Sequence, residues 1–385
     1  MATPHIYIIA GEPSGDVIGA RLIDSIKSKT KNKCLISGVG GMEMEKLGFN
    51  SLFPMSEITV MGLAEVIPSL PNLFMRIKQT IADIEKKNPC IVVTIDAPDF
   101  SFRILKKITK SEIPLVHYVA PSVWAWKPGR ARKIAKFLDK LLTLFPFEPP
   151  YFEKEGLNTI FVGHPVVESN AGMGDGIIFR EIHEIPSSAK VLSILPGSRV
   201  GEISRLLPII RNAINSLADK NLYIILPTLE NLIDHIKNLL QSWDIPVIIT
   251  STIEEKYSAL AASDVAIAAS GTVSLELAMA RVPNVTIYKF NPITAFIGRR
   301  LVKTKFANLV NILLNKEVVT ELIQEKCNSD LIYKEIKKLL DNKDIYELQL
   351  ENFDLAIKQL KNEVAKPSDK AANIILETIK SHGSK

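Results

Sequence analysis

The sequence predicts an α/β protein made of two doubly wound halves, each a parallel sheet joined by crossover helices. Three observations carry this prediction. Short runs rich in Ile and Val alternate with longer stretches of helical periodicity, as expected when strands are buried on both faces and linked through helices. The pattern runs through one set of strands and restarts after about residue 163. The chain has 385 residues, more than one hydrophobic core usually organises.

In the first half the strands are read at Ile6–Ala10, Cys34–Gly38, Ile91–Ile95, Leu115–Val119, Lys140–Leu144 and Thr159–Val162. In the second half they are read at Val191–Leu195, Tyr223–Leu226, Val247–Thr250, Val265–Ala268 and Asn284–Tyr288. Between the halves lie Gly163-His164-Pro165 and the glycine-rich Ala171–Gly176, a composition that predicts a hinge or surface loop. Leu63, Ile67, Leu70, Phe74, Ile77 and Ile81 recur at helical spacing, interrupted by Pro68 and Pro71. They predict a broken amphipathic helix whose apolar face either packs in the core or forms a membrane-facing patch. A second amphipathic stretch, Phe296–Phe306, carries four cations that either meet lipid phosphates or are solvated. Asp330–Ser381 is charged and helical with no strand signal.

Composition excludes several classes. Apolar residues make up 46% and charged residues 23%, which fills two cores and rules out general disorder. Cys34, Cys90 and Cys327 are odd in number and form no C-x-x-C pair, so neither a disulfide framework nor a zinc site is expected and a cytosolic setting is. No run reaches the ~18 apolar residues of a membrane span, and Ile6–Ala10 is too short for a signal-peptide core, so membrane contact is expected to be peripheral. The net charge of +5 favours acidic or phosphorylated ligands only mildly. No nucleic-acid-binding pattern occurs, and no nucleic-acid partner is expected. No His, Cys, Asp or Glu cluster has metal spacing, no cofactor is expected, and His117 and His164 read as structural. The absence of Gly-x-Ser-x-Gly argues against a serine hydrolase.

The chemistry concentrates where strands end. Gly11-Glu12-Pro13-Ser14-Gly15-Asp16 follows the first strand but has neither P-loop nor G-x-G-x-x-G spacing, so ATP and NAD are poorly supported. A strand-loop-helix unit with polar tips at Glu12 and Ser14 remains. Asp96 and Asp99 follow the third strand: Asp96 stands where a general base is needed, and Asp99 is placed to cap the next helix. Trp124 and Trp126, followed by Lys127, Arg130 and Arg132, make either an aromatic and cationic wall for a sugar phosphate or packing residues. In the second half Gly197-Ser198-Arg199 offers backbone donors and a guanidinium to a diphosphate. In Ser270-Gly271-Thr272-Val273-Ser274-Leu275-Glu276, Thr272 and the first amides can bond phosphate while Glu276 can accept from ribose hydroxyls, unless they only cap the helix. Two anion-ready turns, one per half, point to an enzyme acting on a nucleotide-linked substrate. Alternatives the residues leave open are a UDP-sugar epimerase on the same architecture and a non-catalytic protein that binds anionic lipid.

Several motifs occur in one order from residue 10 to about residue 330: Ala-Gly-Glu-Pro-Ser-Gly-Asp, Val-Met-Gly-Leu-Ala-Glu-Val, Ile-Asp-Ala-Pro-Asp-Phe, His-Tyr-Val-Ala-Pro-Ser-Val-Trp-Ala-Trp, Leu-Pro-Gly-Ser-Arg, Ser-Gly-Thr-Val-Ser-Leu-Glu and Arg-Leu-Val-Lys-Thr. Together they resemble the lipid-A-disaccharide synthases, and Pro-Ser-Val-Trp-Ala-Trp is the most specific of them. The resemblance implies a GT-B fold, two Rossmann-like domains facing a central cleft, with domains at 1–164 and 165–350 and a helical segment, 351–385, returning to the first. It implies an inverting glycosyltransferase that joins UDP-2,3-diacylglucosamine to 2,3-diacylglucosamine 1-phosphate through a β(1→6) bond. Carried over by motif, Asp96 is the general base on the acceptor 6-hydroxyl, and Ser198, Arg199, Gly271, Thr272, Glu276 and Asn311 hold UDP. Glu12, Ser14, Trp124 and Trp126 then belong to the acceptor side. A membrane patch at Leu63, Ile67, Leu70, Phe74 and Ile77, peripheral association with the inner membrane of a Gram-negative bacterium, and a homodimer with exchanged C-terminal segments are further implications. One departure is local: Leu309-Val310-Asn311 stands where the family reads Leu-Pro-Asn, which releases the backbone before Asn311.

Overall fold

Both predicted sheets form, and in each every strand pairing is parallel. The computed structural model describes residues 3–59, 63–109, 111–217, 221–243, 245–291, 304–361 and 365–382, with the backbone alone at 63–70. The first sheet contains β1 (His5–Ala10), β2 (Leu35–Val39), β3 (Ile91–Ile95), β4 (Leu115–Tyr118), β5 (Lys140–Thr143) and β6 (Asn158–Phe161), in the order β2-β1-β3-β4-β5-β6. The second contains β7 (Lys190–Leu195), β8 (Leu222–Pro227), β9 (Val247–Thr250), β10 (Val265–Ala269), β11 (Asn284–Tyr288) and β12 (Glu321–Ile323), in the order β12-β11-β10-β7-β8-β9. β12 has no counterpart in the sequence reading, because three residues give no periodicity to detect.

The two sheets obey one rule. Each opens with its first strand in the interior and winds outward in both directions, so the order reverses between β1 and β3 and again between β7 and β10. At such a switch point the flanking loops diverge and leave a crevice at the carboxyl ends of the strands. Residues Ile6–Ala10 and Ile91–Ile95 are buried throughout, which explains why these strands read as continuous apolar runs rather than alternating ones.

The chain divides into two compact units, Met1–Pro165 with Leu360–Lys385, and Val166–Gln359. The chain rejoins the first unit at Leu360, whose carbonyl accepts from the His164 amide at 3.2 Å. The helix Pro367–His382 then packs along Pro13–Lys29, with Ser25 Oγ donating to Asp369 at 2.6 Å and Lys370 Nζ donating to the Phe161 carbonyl at 2.7 Å. The C-terminal stretch is helical as predicted, in three helices from Ser329 to His382.

One local expectation is corrected and another is narrowed. The segment Leu63–Lys87 is one helix, not a broken one. Each proline removes a single ladder hydrogen bond, and the remaining turns carry the ladder past both. Of the two alternatives for the glycine-rich stretch, residues 171–175 form the surface loop, with Met173 exposed and the loop anchored within the second unit. Ala171 is fully buried beside Tyr257 and Leu260, and the backbone at Gly174 and Gly176 runs too close to the Tyr257 and Ala261 carbonyls to admit side chains.

Candidate active site

In the second unit the switch point opens into a cavity of about 550 Å³, the size expected for a small-molecule site. Three loops at strand ends line it: Gly197-Ser198-Arg199 after β7, Thr228-Leu229 after β8, and Ser270-Gly271-Thr272 after β10. Glu276 and Lys256 form a polar side, and Tyr288 with Phe290, rings 4.3 Å apart, an apolar one. The β7–β10 register, with Leu195 opposite Ala268, brings the first and third loops together.

Each loop has a sequence-encoded reason for its shape. Gly197 adopts φ +109°, and a Cβ there would approach Glu202 Oε2 to 2.5 Å, so only glycine allows the turn to pass over the first turn of the helix Val200–Leu217. Glu202 Oε1 accepts from Arg199 Nη1 at 3.3 Å and from the Tyr288 hydroxyl at 2.6 Å. Burial, and then this hydrogen bond, push the Tyr288 phenol up to about 12. The Arg199 side chain is 64% exposed, so it stands at the rim where a phosphate would enter. Ser274 Oγ donates to the Gly271 carbonyl at 2.8 Å and pins the third loop. Glu276 Oε2 accepts from Lys256 Nζ at 2.6 Å.

In the first unit the corresponding edge carries a carboxylate in an unusual posture. Asp96 and Ala97 leave β3 with φ +55° and +43°, and Val119 leaves β4 with φ +80°. Left-handed backbone at non-glycine residues costs on the order of 1–3 kcal/mol each and clusters at functional sites. Asp96 Oδ2 accepts from Ser14 Oγ at 2.9 Å and Oδ1 from the Ala97 amide at 2.9 Å. Gly11 allows the β1 loop to approach, since a Cβ there would lie 2.6 Å from that of Ala97. Glu12 is exposed at the N-cap of the helix Pro13–Lys29. Asp16 of the same motif is structural: its buried carboxylate accepts from the amides of Gly41, Glu43 and Met44. Asp99 does not cap its helix, because Ala97 occupies the N-cap and Asp99 lies inside the first turn.

Residues 6–375 match the family described as lipid-A-disaccharide synthetase. A lipid-A-disaccharide synthase of Rhodospirillum centenum is 44% identical, over 97% of this chain and 94% of the relative. One from Rickettsia bellii is 42% identical, over 90% of this chain and 91% of the relative. The chain belongs to the lipid-A-disaccharide synthase family. Among solved structures, a UDP-GlcNAc 2-epimerase from Neisseria meningitidis bound to UDP-GlcNAc aligns with a TM-score of 0.63 at 13% identity, covering 98% of this chain and 100% of that one. Acinetobacter baumannii MurG aligns with a TM-score of 0.57 at 13% identity, covering 97% and 99%. These likenesses fix the fold as GT-B.

Of the synthase-motif residues assigned to UDP, the cavity gathers Ser198, Arg199, Gly271, Thr272 and Glu276. Asn311 does not line it, and this assignment is corrected. Asn311 is fully buried: Nδ2 donates to the Val319 carbonyl and to Glu321 Oε1, both at 2.8 Å, while Oδ1 accepts from the amides of Val318 and Val319. Its hydrogen-bonding capacity is spent on protein. Glu321 also accepts from the Ala307 and Asn308 amides, and the Ala307 carbonyl, at the cavity wall, accepts from Ser270 Oγ. Asn311 thus braces the wall from behind. The departure at Val310 fits this brace, because its amide donates to Asn308 Oδ1 at 2.8 Å, a bond that proline cannot make.

On the first unit the two tryptophans have different roles. Trp126 is 37% exposed, with Lys127 Nζ 4.4 Å from its ring centroid. Trp124 is a packing residue, edge-on to Phe147, whose Nε1 donates to buried Glu148 at 3.2 Å. Of the apolar patch, Phe74 is 48% exposed, whereas Ile77 is buried in the core and is removed from it. The side chains of Leu63, Ile67 and Leu70, and residues 296–303 of the basic stretch, lie outside the described residues.

Burial in this unit sets a pH response. Desolvation holds His117 and His164 down at about 3, and pushes Glu148 up to about 7. Unfolding below pH 6.5 therefore lets both histidines take up a proton, while Glu148 releases one wherever the pH exceeds its unfolded value of 4.5. The net uptake by these three groups between these limits is about one proton, so their contribution to stability falls by about 1.4 kcal/mol per unit as pH drops through this window. Glu148→Gln removes the counterweight and steepens the slope to about 2.8 kcal/mol per unit, as measured by urea unfolding across the window.

Proposed function

We propose that this chain transfers the diacylglucosaminyl group of UDP-2,3-diacylglucosamine to the 6-hydroxyl of 2,3-diacylglucosamine 1-phosphate, giving the β(1→6) disaccharide 1-phosphate of lipid A and UDP. The observation that carries this reading is the family match across residues 6–375. The cavity supports it with a chemistry suited to a nucleoside diphosphate. Ser198, Arg199 and the loop at Gly271-Thr272 take the diphosphate, and Glu276 takes the ribose. As the bond from the anomeric carbon to UDP breaks, its electron pair passes to the β-phosphate oxygen, and Arg199 with the oriented amides meets the growing charge. Asp96 accepts the proton of the acceptor 6-hydroxyl as that oxygen attacks from the opposite face, which inverts the centre. Glu12, Ser14 and Trp126 attend the acceptor, with Ser14 orienting Asp96.

The lipid substrates make a peripheral site on the cytoplasmic face of the inner membrane the natural setting. Exposed Phe74 and Met75 on the helix Leu63–Lys87 support membrane contact, and no helix among the described residues is long and apolar enough to cross a membrane. Exposed Leu348 and Leu355, seven residues apart on one helix face, support a homodimer with exchanged C-terminal segments. The testing experiment is UDP release in detergent from the diacylated donor, with and without 2,3-diacylglucosamine 1-phosphate. Release only with both lipids, with a product of the summed mass, is expected. Release without acceptor would instead indicate a UDP-sugar epimerase or hydrolase, and no release at all would overturn the assignment.

A further inference from the structure

Lys256 is placed against its local electrostatics. It follows the capping box Thr252–Glu255 at the start of the helix Ile253–Ala261, where the positive end of the peptide dipole disfavours a cation. Its ammonium reaches the cavity, 5.8 Å from the Tyr257 ring centroid, with the side chain 26% exposed. There it meets Glu276 Oε2 at 2.6 Å, on a carboxylate that is itself 20% exposed. Among the described residues no side-chain or backbone donor reaches Glu276 Oε1. The carboxylate thus has one oxygen tied and the other open to the cavity.

We propose that Lys256 is the positioning residue that makes the cavity select a ribonucleotide over its 2′-deoxy counterpart. By occupying Oε2 it turns Oε1 toward the position of a ribose hydroxyl. Without the ammonium, a glutamate with three free torsions would have to be ordered by the ligand itself. A site arranged to accept from a hydroxyl rejects the analogue that lacks it, because the buried acceptor is left unpaired. The inference rests on the nucleotide reading of this cavity given above.

The test is calorimetric binding of UDP, 2′-deoxy-UDP and inorganic pyrophosphate to the full chain and to Lys256→Met and Lys256→Arg. The unchanged protein is expected to prefer UDP over 2′-deoxy-UDP by ~10- to 100-fold. In Lys256→Met that preference collapses to within about threefold, pyrophosphate affinity holds, and Lys256→Arg restores part of the preference. Retained pyrophosphate binding also reports that the variant is folded. Equal weakening of all three ligands in Lys256→Met would make the lysine a plain counter-charge for phosphate and overturn the proposal, as would an unchanged preference. Failure of the unchanged protein to bind UDP at all would instead overturn the nucleotide reading, and this inference with it.

Discussion

Asp96→Asn is expected to lower kcat by about 10²- to 10⁴-fold, some 3–5 kcal/mol of barrier, while UDP affinity stays within about twofold. The substitution keeps the shape of the side chain. Its amide oxygen can still accept from the Ala97 amide, and its NH₂ can meet the Ser14 hydroxyl, so the two left-handed residues at the end of β3 keep their local support. What disappears is the ability to take a proton. The UDP site proposed above is the cavity of the second unit, to whose wall Asp96 contributes nothing, so the separation of kcat from UDP affinity is the informative result. Ser14→Ala, which frees the carboxylate without removing it, should give a smaller loss of roughly tenfold. An equal loss of UDP affinity and turnover in Asp96→Asn would show that the residue supports the fold rather than the proton transfer.

The contrast between the two edges explains what sequence could and could not supply. Strands rich in Ile and Val announce themselves as short apolar runs, so eleven of the twelve strands among the described residues are readable. The loops after β1, β3, β7 and β10 are readable too, because glycine and polar residues immediately after such a run have few other reasons to be there. Lys256, Tyr288 and Glu321 carry no comparable signal. Each is an ordinary residue of a helix or strand, and its importance comes from a partner 14 to 86 positions away in sequence. Asn311 shows the opposite failure. Its motif marks it as important, but a pattern of residue types does not say whether an amide's partner is a ligand or the chain itself. Trp124 and Trp126 divide for the same reason, two residues apart, one turned to Glu148 and the other to the surface.

Asn311→Asp is the sharpest test of the brace, since it changes no volume. The oxygen that replaces Nδ2 faces the Val319 carbonyl and Glu321 Oε1, each an acceptor at 2.8 Å. Two hydrogen bonds become two repulsions, and a second carboxylate is buried beside the first. Leaving buried polar groups unpaired costs about 1–3 kcal/mol each and more when charge is involved, so the second unit should lose about 3 kcal/mol or more, read as a lowered urea midpoint. UDP affinity should fall with it, because the Ala307 and Ser270 wall loses its backing. Glu321→Gln must then reproduce the same paired loss in milder form, although Glu321 was never a motif residue. If Asn311 instead touched the nucleotide, Asn311→Ala would lower UDP affinity with the unfolding midpoint intact, and Glu321→Gln would leave UDP affinity alone. The coupling of stability to nucleotide affinity across both residues is therefore what separates a wall from a ligand contact.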